Sequence, residues 1–183
     1  VHEHYKRLNN AAVDTMQTPS NTLIIGQAGA GKGRLIQAIA DTIDVPVVQV
    51  SVTGYSHVGY IGEDVEGILT TLYKAADENL EKAKTGIVYI EHVDCSRARL
   101  KGEHITQDVN GEGLQHELMR LMSRQVCNAL PQGGIKHPNQ SFIAFDTSKL
   151  LFILGGAFDG IATENGVITR KNLADYGMVE ELM

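Results

Sequence analysis

Thr22-Leu23-Ile24-Ile25-Gly26-Gln27-Ala28-Gly29-Ala30-Gly31-Lys32-Gly33-Arg34 is the stretch that decides the fold. Its first four residues are a short apolar run closed by Gly26, which suits a buried parallel strand. Residues 34–43 place apolar side chains at 35, 36, 39, 40 and 43, the spacing of one helix face. Between strand and helix, Gly26 to Lys32 fits the pattern G-x-x-x-x-G-K. Such a loop turns its backbone N–H groups toward phosphate oxygens, and the helix start adds positive potential. Lys32 would carry its ammonium to the outer phosphates. The competing reading is a glycine-rich turn with a solvated lysine, and the flanking strand and helix argue against it. The position after the lysine should be Ser or Thr, whose hydroxyl ligates magnesium. Here it is Gly33, which offers no side-chain oxygen.

A second strand is expected at residues 86–90, again a continuous apolar run. It leads into Glu91-His92-Val93-Asp94. Nucleoside triphosphatases place a magnesium-holding Asp at such a strand end. Glu91 has that charge on one more methylene, and would hold the metal through its water shell. His92 stands where a water-activating Glu is often found. A neutral imidazole accepts a proton near pH 7. The competing reading of His92 is a polar residue at a strand end, with no placed partner.

Further strands are expected at residues 45–50, 141–145 and 149–154. Helices are expected over 34–43, 114–127 and, as one or two pieces, 65–83. Residues 1–9 suit a helix end, 10–21 a connector, 97–113 a loop, and 130–140 a loop or hairpin. The last 22 residues are polar and weakly helical. Strands alternating with helices predict an α/β fold, a parallel sheet sandwiched by helices.

Composition narrows the function. The chain has 183 residues, 16 Lys+Arg and 22 Asp+Glu, so its formal net charge is -6. An acidic chain without a basic stripe is a poor nucleic-acid binder. No apolar run approaches a membrane span, and the first residues hold no leader-like apolar core. Two cysteines, Cys95 and Cys127, cannot make an all-cysteine zinc site, and both are expected to be ordinary thiols. Glu112 and His116, four apart, are expected to pair on a helix. The acidic stretch 77–81 is expected to be a solvated helix face.

With these motifs in hand, the chain resembles the ClpX branch of the AAA+ unfoldases. Residues 22–35 are similar to its Walker A segment, and Gly86-Ile87-Val88-Tyr89-Ile90-Glu91-His92-Val93-Asp94 to its Walker B strand. Gly59-Tyr60-Ile61-Gly62-Glu63-Asp64-Val65-Glu66 resembles the aromatic pore loop. Ile105-Thr106-Gln107-Asp108-Val109-Asn110-Gly111-Glu112-Gly113 resembles the segment after the second pore loop. Gly133-Gly134-Ile135-Lys136-His137-Pro138 resembles the basic loop at the pore entrance. Residues 146–158 resemble the sensor-1 strand, and His4-Tyr5-Lys6-Arg7-Leu8 the helix before the nucleotide site. The likeness runs in order through nearly the whole chain.

The resemblance implies a P-loop NTPase (AAA+) fold over residues 1–183, covering the large subdomain. The small lid domain, the arginine finger and an N-terminal zinc domain would lie outside it. It implies ATP or ADP with magnesium, and no zinc, as cofactors. Gly26, Gln27, Ala28, Gly29, Ala30, Gly31, Lys32, Gly33 and Arg34 would bind the nucleotide. Glu91 and His92 would be the catalytic pair. Tyr60, Ile61, Lys136 and His137 would grip protein substrates in the pore of a hexameric ring. Ile135 stands where the family carries an Arg, so one positive charge is lost there. A ClpP-type peptidase is the family's partner, but no docking loop for it is recognisable. Nucleic acid and membrane are not expected partners, and the setting is cytoplasmic or an organelle matrix. Gly33, Glu91 and His92 depart from the family together, at three positions of one function. They predict nucleotide binding with impaired hydrolysis. The alternatives are a regulatory module that binds nucleotide without hydrolysing it, and a small-molecule P-loop kinase.

Overall fold

Helix α1 (His2–Asn9) begins the structure, a computed structural model that describes residues 1–9, 21–54, 61–97, 109–123, 126–129, 142–179 and 182. Strand β1 (Thr22–Ile25) leads through the glycine loop into helix α2 (Lys32–Ile43). Strand β2 (Val47–Ser51) follows, then helices α3 (Ile61–Ala75) and α4 (Leu80–Ala83), and strand β3 (Ile87–Glu91). Helix α5 (Val109–Met122), strands β4 (Val126–Ala129), β5 (Ile143–Asp146) and β6 (Leu151–Gly156), and helix α6 (Arg170–Tyr176) complete the order.

Four strands form a parallel sheet in the order β1-β6-β3-β2, so the last strand is inserted beside the first. Strands β4 and β5 make a separate antiparallel pair. In β3, successive side chains leave opposite faces of the sheet, as strand geometry requires. Val88 and Ile90 enter a large core with residues of α3 and α5. Ile87 and Tyr89 enter a smaller one with Ile36 and Ala40 of α2, where Tyr5 of α1 also packs. Both faces are thus covered by helices, which is why β3 and β6 read as continuous apolar runs.

Helix α1 is tied to the lower edge of this sheet. The Tyr5 hydroxyl donates to the Thr85 carbonyl at 2.9 Å, and the His4 ring lies 3.1 Å from the Lys149 carbonyl. Burial pushes the Tyr5 phenol well above its usual range.

Several expectations are corrected by the structure. The expected helix over 114–127 runs instead from Val109 to Met122, and Val126 and Cys127 belong to β4. Burial alternates along β4, with Cys127 and Ala129 inward, which is a strand pattern. Residues 109–113, expected in a loop, start α5. A Cβ on Gly111 would lie 2.7 Å from the Ser96 carbonyl oxygen, so glycine lets this helix start pack on the short 3-10 turn Val93–Ser96. Asp77 and Glu78 are exposed, but they form a turn between α3 and α4 with φ of 54° and 59°, not a helix face. Pro46 precedes β2 and contributes only its carbonyl, which accepts from Ile87 N–H at 2.9 Å. Strand β6 begins at Leu151 because Leu150 N–H closes a turn on the Thr147 carbonyl. The Glu112–His116 pair is present on α5 at 3.8 Å. Cys95 and Cys127 are free thiols, the first exposed and the second buried.

Candidate nucleotide site

Position 31 shows why the loop after β1 needs glycine. Gly31 has φ +84° and Gly29 φ +77°, a region that side-chain-bearing residues rarely adopt. Gly31 is the last residue before α2, so the first-turn N–H groups of that helix have no intrahelical acceptors and point outward. Gly26 N–H donates to the Gly156 carbonyl at 3.1 Å, which fixes the loop to the end of β6. The Lys32 ammonium donates back to the Gly26 carbonyl and, at 3.0 Å, to the Gln27 carbonyl. This folds a cation over the mouth of a ring of amides.

A cavity of about 370 Å³ opens there. Ala28, Gly29, Ala30, Gly31, Lys32, Gly33 and Arg34 line one side, and Tyr89, Glu91 and His92 the other, with Gly156 and Ala157 closing it. The ends of β1, β3 and β6 therefore bring the phosphate loop and the Glu91-His92 pair to one place. Tyr60, Lys136 and His137 lie outside the described residues, and Ile61 is placed only as the first residue of α3.

The Glu91 carboxylate points at the start of α2. A Cβ on Gly33 would lie 2.9 Å from Glu91 Oε1. His92 is exposed and holds a left-handed conformation, φ 58° and ψ 34°, before the 3-10 turn. Its Nδ1 lies 3.1 Å from Ser51 Oγ, and Ser51 Oγ in turn lies 2.7 Å from Thr53 Oγ1. His92 thus has a placed partner on the neighbouring strand. Asp94 faces elsewhere. Its Oδ2 accepts from Phe158 N–H at 3.2 Å, and its buried Oδ1 has no hydrogen-bond partner among the described residues. A Cβ on Gly156 would lie 2.6 Å from that Oδ1. Asp94 therefore ties the ends of β3 and β6 together behind the cavity.

Tyr89 was not singled out by its sequence context, yet it forms the cavity floor. Its ring crosses Gly155 of β6 so closely that a Cβ there would collide with the phenol oxygen and lie 2.8 Å from Cε2. Burial raises the Tyr89 phenol, and the Glu91 carboxylate adds to the shift. The available signal was the two-residue strand period, which puts Tyr89 and Glu91 on one face. The same signal marks Gln49 and Ser51, which stand opposite Tyr89 and Glu91 in the β2–β3 register.

This set fits a nucleotide phosphate chain, which backbone amides and an ammonium at a helix start bind well. It also fits magnesium. That ion uses one or two carboxylates and the substrate's own phosphates, and keeps several waters. Glu91 supplies such a carboxylate. No described group of three His, Cys, Asp or Glu would hold an ion unaided.

Fold and cavity together define a P-loop nucleotide-binding α/β protein. The family profile of the ATPase family associated with various cellular activities (AAA) matches residues 22–154, and the chain belongs to that family. Within it, the chain is similar to the ATP-dependent Clp protease ATP-binding subunit ClpX of Bacteroides thetaiotaomicron, 44% identical over 174 residues. That match covers 94% of this chain and 42% of the relative. The ClpX proteins of two Bacteroides fragilis strains are also 44% identical, over 94% of this chain and 41% of theirs. The chain spans about two fifths of the length of these relatives. Among the described residues, no helix is long and apolar enough to cross a membrane.

Proposed function

We propose that this chain is the nucleotide-binding large subdomain of a ClpX-type unfoldase, binding ATP or ADP firmly and hydrolysing ATP slowly. The observation that carries the reading is the cavity itself. A complete phosphate loop faces Glu91 and His92 across it, with no hydroxyl at position 33. In this reading Lys32 and the amides of residues 28–34 hold the phosphates. Glu91 orients the metal's water shell. His92, held by Ser51, replaces a carboxylate base and is the weakest part of the machine. Losing a well-placed base or positioning group commonly costs roughly 10²–10⁴ in rate.

The likeness to the ATP-binding subunit of a Clp protease supports a role in protein unfolding. Tyr60, Ile61, Lys136 and His137 are then the substrate-gripping residues. Other subunits of a hexameric ring and a ClpP-type peptidase are the partners, in a cytoplasmic or matrix setting.

The test pairs two measurements. Calorimetric titration should show ATP binding, and steady-state phosphate release with magnesium should run at least about a hundredfold below a ClpX assayed beside it. Turnover equal to that ClpX would sink the reading of impaired hydrolysis. The three departures also favour a regulatory subunit that reads nucleotide state. Undetectable phosphate release with full ATP affinity selects it.

A further inference from the structure

Gln49 does not line the cavity, yet it touches Gly33, the cavity's least conventional residue. Burial along β2 places Val48 in the large core and leaves Gln49 exposed at the start of α2. Its Nε2 donates to the Gly33 carbonyl at 3.3 Å. That bond orients the amide, because its oxygen facing the carbonyl would be repelled. The other end, Oε1, lies 2.9 Å from the point a Cβ on Gly33 would occupy. Glu91 Oε1 lies 2.9 Å from the same point. Two side-chain oxygens from two strands thus flank the place where the phosphate-loop motif would put a hydroxymethyl group. A side chain at position 33 would push those two oxygens aside.

We propose that Gln49 is a metal-positioning residue of this site, its amide oxygen standing in for the hydroxyl missing at position 33. The usual pair at this spot is one neutral oxygen and one carboxylate. Gln49 and Glu91 are again one neutral oxygen and one carboxylate, both hard donors suited to magnesium. The pair has changed elements: the neutral donor comes from β2 instead of α2, and the carboxylate gains a methylene. Gly33 and Gln49 then belong together, and the glycine is a rearrangement of the metal side as well as a loss. The assignment rests on the nucleotide-binding reading above.

The experiment measures ATP affinity by calorimetry, once with magnesium and once with EDTA. The parent chain is compared with Gln49→Met and Gly33→Ala. Gln49→Met keeps the length and removes the oxygen. Gly33→Ala removes no donor and fills the space between the two oxygens. Magnesium should tighten ATP binding by the parent chain. That gain should fall about tenfold in Gln49→Met and in Gly33→Ala. EDTA affinity should stay equal in the parent chain and Gln49→Met. A gain unchanged in Gln49→Met overturns the assignment. So does an equal fall with magnesium and with EDTA, which marks Gln49 as only a prop for the helix start. No ATP binding by the parent chain in either buffer overturns the nucleotide reading, and this assignment with it.

Discussion

The two walls of the cavity are built from different materials. The phosphate wall is backbone: amides at the start of α2, turned inward by Gly29 and Gly31, with Lys32 folded across them. The metal and water wall is side chain: Glu91 and His92 at the end of β3, backed from β2 by Gln49 on the Gly33 carbonyl and Ser51 on the His92 ring. A backbone wall keeps its chemistry as long as its glycines and lysine remain. A side-chain wall changes with every substitution, and its parts must change together. In the proposed reading, that difference lets phosphate binding persist while Glu91 and His92 serve hydrolysis poorly.

The largest expected effect comes from rebuilding the side-chain wall. Gly33→Ser, Glu91→Asp and His92→Glu together should raise steady-state phosphate release by roughly 10²–10⁴. Gly33→Ser alone should gain little, because its Cβ meets the Gln49 and Glu91 oxygens. An equal gain from the single change would break the comparison. Next comes Lys32→Ala on the backbone wall. Losing one charge-assisted contact is worth up to about 3 kcal/mol, so ATP affinity should fall up to about a hundredfold in calorimetry. An unchanged affinity would mean that the ammonium does not face the phosphates.

The shared floor ranks third. Gly155→Val should drive Tyr89 off β6 and destabilise the fold by about 1–3 kcal/mol in denaturant unfolding. Ligand affinity would then follow stability on both walls, unlike either change above. The smallest effect is Ser51→Ala. It removes an exposed tie to His92, should cost under about 1 kcal/mol in the same unfolding assay, and should leave ATP affinity unchanged.

Much of this architecture was legible because local and global signals agree. The strand–loop–helix around Gly26 to Lys32 lies where its spacing predicts, within two residues. The four parallel strands do too, and β3 and β6, buried on both faces, are the plainest of them. Three misreadings share a cause. Val126 and Cys127 continue the apolar rhythm of α5, and only pairing with β5 makes them a strand. Val109 to Gly113 look like a loop until Gly111 seats against Ser96. Asp77 and Glu78 have no local signal for the left-handed turn they form.

By itself, the sequence determined the fold class and the phosphate loop, glycine at position 33 included. These are properties of contiguous residues, set by steric limits on the backbone and by hydrophobic period. The tertiary structure alone decided the company those residues keep. Parallel pairing of β2 with β3 sets Gln49 beside Tyr89 and Ser51 beside Glu91, 40 residues apart in the chain. Insertion of β6 between β1 and β3 brings Gly155 under Tyr89 and Gly156 to the cavity rim. Strand order and register are settled by burial over the whole sheet, and no local stretch of residues carries that information.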